Sequence, residues 1–184
     1  MLEFIHIPEG CPYYGFVTTL DMTCEEGLCA WVRQPANVVS SLIFFIPAHF
    51  IFWQGIREKS EILKAIGLVS LFIAIASTMA HATHLRLLGF ADFTFQYLLI
   101  YILLWMNSKR LLLHNLQTPW LFSFGLWTLT ALLQWFYPQM SLIIYFSLIA
   151  LLLTSEGINW KRSPSTKYRD FFKCGGLLLI GAVL

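Results

Sequence analysis

From Asn37 onward this chain alternates between long apolar stretches and short polar breaks. That rhythm limits the fold more than any single motif does. Apolar stretches run over about Asn37–Trp53, Ile62–His81, Asp92–Met106, Trp120–Phe136 and Met140–Thr154. A sixth begins near Phe171 and is still apolar at Leu184. A spanning helix needs roughly 20 mostly apolar residues. Only helices and closed barrels satisfy their backbone polar groups in lipid. Stretches of this length predict helices. The expected fold is an all-α, polytopic transmembrane helix bundle with about six visible spans.

Composition agrees. Hydrophobic residues make up 58% of the 184, and charged residues only 12%, against roughly 25% in an ordinary soluble domain. The formal net charge is +2, with no long basic run, which argues against a nucleic-acid partner. Residues 1–36 are mixed, with Gly, Pro, Cys and acidic residues. They read as a non-spanning N-terminal segment, and residues 37–184 as the helical bundle. Met1–Cys11 lacks the basic and apolar regions of a cleavable signal.

Basic residues set the expected topology. The breaks after the first, third and fifth spans hold Arg57, Lys59, Lys64, Lys109, Arg110, Lys161, Arg162, Lys167 and Arg169. The opposite side has Arg33 and Arg86. The N-terminus is therefore expected outside the cytoplasm. Of the four cysteines, Cys11, Cys24 and Cys29 fall in the N-terminal segment and Cys174 near the other end. In an oxidising compartment two of the first three could pair; free thiols are an equal expectation. There is no phosphate-binding Gly-rich loop and no nucleophile elbow.

The chemistry-bearing stretch is Ser77 to Asp92. Ser77 and His81 are four apart, so they share a helix face. A short turn containing Gly89 then leads to Asp92 at the start of the next span. Two antiparallel helices joined this way bring hydroxyl, imidazole and carboxylate together near one membrane face. Ionisable residues inside spans are costly and usually functional. Neutral imidazole is the commonest metal ligand, a carboxylate can hold or deprotonate a metal-bound water, and a hydroxyl can orient it. The plainer alternative makes Ser77 bond its own backbone, His81 end its helix near the interface, and Asp92 cap the third span. A haem reading would need two histidines at matched depth, and His81 and His49 fall at opposite ends of their spans.

Ser77-x3-His81 followed by Asp92 resembles the alkaline ceramidase family, part of a wider group of seven-span membrane hydrolases that includes the adiponectin receptors. Cys24-Glu25, and then Gln34-Pro35-Ala36-Asn37-x2-Ser40-Ser41, resemble that family's Cys-Glu and Glu-Pro-x-Asn-x2-Ser-Asn. The resemblance implies seven spans and a zinc-dependent amidase that cuts ceramide-like lipids into a sphingoid base and a fatty acid. It implies zinc on His81, Asp92 as the base and Ser77 in support. Asn37, Ser40 and Gln96 would line the same cavity, as would Tyr97. Arg86 and His84 are expected in the turn, at the lipid headgroups. A calcium site in the N-terminal segment is also implied, with Asp21, Glu25 and Glu26 as oxygen ligands. Gln34 and Gly27 stand where that site has a glutamate and often an asparagine.

The family completes its zinc site with a His-x3-His on the seventh span. No such pair occurs here, and the last histidine is His114. The chain is therefore expected to be a fragment that stops before that span. The alternative is a non-catalytic membrane homologue that binds lipid or a partner.

Overall fold

The computed structural model describes residues 7–15, 27–111 and 119–162. Among them there is no helix before Pro35. Pro35 then opens α1 (Pro35–Ile43). It suits that first position because its missing N–H would have no intrahelical partner there. A one-residue break at Phe44 separates α1 from α2 (Phe45–Arg57). Pro47 supplies the cause: it lacks the N–H that would bond the Ile43 carbonyl four residues back. Phe44 itself stays right-handed, so α1 and α2 together form one apolar span of 23 residues.

Lys59 takes a left-handed conformation and turns the chain back. Ser60 caps α3 (Glu61–Thr83) through its hydroxyl, 3.4 Å from the Leu63 N–H. Gly55 and Gly67 let α2 and α3 approach closely. A Cβ on Gly67 would sit 2.5 Å from the Phe52 backbone, and one on Gly55 2.5 Å from the Lys64 nitrogen. Small residues at such seams are the usual means of packing helices where apolar burial gives no drive.

His84 ends α3 in the left-handed region, its N–H donating to the Ala80 carbonyl at 2.7 Å. α4 (Arg86–Leu111) begins almost at once. This corrects one expectation: Gly89 lies inside α4, and Asp92 is well within the helix rather than at its start. A glycine in a helix costs only about 1 kcal/mol, which is small beside leaving backbone groups unpaired in an apolar setting.

α4 is the centre of the bundle. Phe72 of α3 stacks on Phe95 at 5.2 Å. From α5 (Pro119–Phe136) the Trp127 indole donates to the Thr94 carbonyl at 2.8 Å, and Thr130 meets the Tyr101 hydroxyl at 2.8 Å. After a short 3-10 turn at Pro138–Met140, α6 (Ser141–Arg162) follows. The Tyr97 hydroxyl donates to the Ser141 carbonyl, and Asn107 to the Ser155 hydroxyl. These two pairs run in the same direction along both chains, so α6 lies parallel to α4. Consequently Arg57, Lys109 and Lys161 fall at one end of the bundle and Arg33 and Arg86 at the other.

The described residues form an all-helical architecture in which four helical segments are long and apolar enough to cross a membrane: Pro35–Arg57, Glu61–Thr83, Arg86–Lys109 and Pro138–Lys161. This fits a membrane protein. The expected span near Trp120–Phe136 is helical as α5, but it is not among those four; the run from Phe171 lies outside the described residues. Phe50, Phe136 and Phe146 are exposed on the outer faces, as lipid-facing positions would be.

Candidate functional site

Two polar networks lie one turn apart along α3, reaching α1 on one side and α4 on the other. The first begins with Asp92, which burial has removed from solvent. Gln96, one turn further on, donates to Asp92 Oδ1 at 2.9 Å. Ser77 faces the carboxylate closely enough to act on it electrostatically, and Ser77 Oγ lies 3.1 Å from Ser41 Oγ. An ionised carboxylate only accepts. With Asp92 ionised, a Ser77 hydroxyl turned toward it would donate, leaving the Ser77 oxygen to accept from Ser41. Hydrogen-bond chains of this kind strengthen along their length.

The second network holds His81, one turn beyond Ser77 on the same face of α3. Its Nδ1 lies 2.8 Å from Gln34 Oε1, and Asn37 Nδ2 donates to the same oxygen at 3.2 Å. Gln34 is fully buried. Its backbone position is set by its neighbour Arg33. The Arg33 N–H donates to the Ala82 carbonyl at 3.0 Å, satisfying one of the acceptors that every helix leaves open at its C-terminus. Arg33 is in turn held by Leu28, whose N–H donates to the Arg33 carbonyl while Arg33 Nε donates to the Leu28 carbonyl. Cys29, beside Leu28, forms a disulfide with Cys11. This resolves the cysteine alternatives for that pair; Cys24 and Cys174 lie outside the described residues.

The sequence-expected residues thus divide. Ser77, Asp92 and Gln96 come together, and His81 stands one turn away with Asn37 behind it. Ser40 does not join them: it is exposed, and its hydroxyl donates to the Asn37 carbonyl of its own helix. Ser41 is the serine turned toward Ser77. Tyr97 is committed to α6 through Ser141. Tyr145 of α6 comes within electrostatic reach of Asp92. His49 is exposed on α2 against Trp53. His84 is buried at the end of α3. Arg86 is bound to α5, donating to the Trp135 carbonyl and lying 5.0 Å over its ring. Asp21, Glu25, Glu26 and His114 lie outside the described residues.

Sequence reasoning gave Gln34 no part at the His81 end. Its side chain makes no capping bond to α1 but accepts from Asn37 there, and nothing local in the sequence marks its contact with His81.

The donor set fits part of a zinc site. An imidazole oriented through its other nitrogen is the usual arrangement of a metal-binding histidine, and one turn back along α3 the Ser77 hydroxyl faces a carboxylate. The set is incomplete, because among the described residues no three His, Cys, Asp or Glu side chains group closely enough to hold a metal ion.

A separate polar group lies at the other end of α4. Asn107, almost fully buried, donates to Ser155 at 2.9 Å. Glu156 and the buried Asn159 follow on α6. Glu156 Oε2 and Asn159 Nδ2 are buried and meet no hydrogen-bond partner among the described residues.

Comparison of the chain with protein-family models, curated proteins and solved structures found no match.

Proposed function

We propose that this chain carries part of a zinc-dependent hydrolytic centre acting on the amide bond of ceramide-like lipids. The supporting observation is the pair of adjoining networks, Ser41–Ser77–Asp92–Gln96 and Asn37–Gln34–His81, at one end of an apolar helical bundle. Zinc bound there would polarise the amide carbonyl and acidify a water. His81 would be one ligand, the remaining ligands coming from residues other than those described here. Asp92 would take a proton from the attacking water and deliver it to the departing sphingoid amine as the C–N bond breaks. Ser77, which faces Asp92, would hold that carboxylate in place. On the basic-residue rule this end faces away from the cytoplasm, and the Cys11–Cys29 disulfide supports that orientation. A calcium role for Asp21, Glu25 and Glu26 remains part of the family resemblance alone.

A second reading is a non-catalytic homologue that binds lipid or a partner. It draws on the incomplete ligand set among the described residues. Elemental analysis of the detergent-purified chain separates the two. The enzyme reading expects near-stoichiometric zinc, absent in His81→Ala. It also expects ceramide hydrolysis that a chelator abolishes and added zinc restores. Zinc-free protein with no hydrolysis after zinc addition leaves the binding reading.

A further inference from the structure

We propose that Gln34 is the positioning residue of His81, setting which imidazole nitrogen carries the proton. The inference rests on the reading of His81 as a metal ligand. Gln34 Oε1 can only accept. With that oxygen turned toward it, His81 Nδ1, 2.8 Å away, is assigned as the protonated nitrogen of the neutral ring, which puts the lone pair on Nε2. A second donor, Asn37 Nδ2, approaches the same oxygen and limits rotation of the amide.

The placement of Gln34 is itself secured from both sides. Pro35 restricts the backbone after it. Before it, Arg33 is bonded to the end of α3 at Ala82, one residue past His81. The acceptor and the ring it orients are thus fixed to the same helix end, although 47 positions separate them in sequence. Gln34 is also fully buried, so water cannot replace the amide if it is removed. Partners in this role typically contribute 10–100-fold in metal affinity. Gln34 would do so as a neutral amide, at a position where the resembling family has a glutamate assigned to calcium.

The test is 15N NMR of the whole chain in micelles with labelled histidine. His81 is assigned by the signal lost in His81→Asn. The Nδ1–H form is expected in the native chain and in Gln34→Glu, which keeps an acceptor. Gln34→Met, similar in size but without one, should shift His81 toward the Nε2–H form. Its zinc dissociation constant, measured by competition with a chromophoric chelator, should rise 10–100-fold, with Gln34→Glu staying near the native value. An Nε2–H tautomer in the native chain overturns the proposal, whatever the variants do. So does a well-folded Gln34→Met with unchanged tautomer and unchanged zinc affinity. A native chain that binds no zinc, but whose His81 tautomer still follows residue 34, sinks the metal reading and leaves the positioning role intact.

Discussion

The two ends of α4 both bury polar side chains, but they solve the problem differently. At the Asp92 end, the N-terminal segment, α1, α3 and α4 each contribute, and the carboxylate accepts from Gln96 and faces Ser77. At the Asn107 end, roughly 22 Å away at 1.5 Å per residue, only α4 and α6 take part among the described residues, and Glu156 Oε2 is left without a partner there. A buried polar atom is expensive unless it is bonded. The presence of an ionisable residue in a span is therefore not the informative feature. What marks the Asp92 end is convergence: polar groups from separate elements aimed at one carboxylate and one imidazole.

Activity gives the sharpest test of that contrast. On the proposed function, Asp92→Asn should lower fatty-acid release from ceramide by about 10²–10⁴-fold, the usual contribution of a general base. Glu156→Gln should leave it within about twofold. Equal losses at both positions would erase the distinction. Next in size is the disulfide. Closing a loop of this length contributes ~3 kcal/mol on the chain-entropy account, here concentrated at the Asp92 end. After reduction of Cys11–Cys29, hydrogen exchange should accelerate at the Arg33 amide and stay unchanged at residues 150–159. Uniform acceleration would show that the N-terminal segment supports the whole bundle instead. The smallest effect belongs to Ser155→Ala. Losing its bond to Asn107 should cost ~0.6 kcal/mol, the average for such bonds in membrane helices, read from unfolding in mixed micelles. A loss of several kcal/mol would mean that the Asn107 end is as tightly organised as its counterpart.

The sequence shows the all-helical character and the approach of Ser77 to Asp92, because both follow from local periodicity and one short connection, while four of the six expected spans are long and apolar enough among the described residues. It misplaces the start of α4, since Gly89 resembles a turn signal while the apolar setting favours an unbroken helix. It identifies Ser40 and Ser41 together but not which one faces Ser77. Neighbouring helix positions differ by about 100°, and the phase depends on where Pro35 starts the helix. The Gln34–His81 contact joins residues 47 apart, a separation on which no local pattern bears. Cysteine pairing has the same limitation: spacing among Cys11, Cys24 and Cys29 does not select a partner.

Only His84 and Leu85 separate α3 from α4, and that brevity bears on how the protein is made. An aspartate that enters a bilayer alone is costly. In a bilayer, a connection this tight would let the two helices enter as a hairpin. Asp92 would then reach lipid with Ser77 already alongside and Gln96 one turn further on. The carboxylate would travel with its own solvation, and α3 would act as an escort before it acts as a wall of the site.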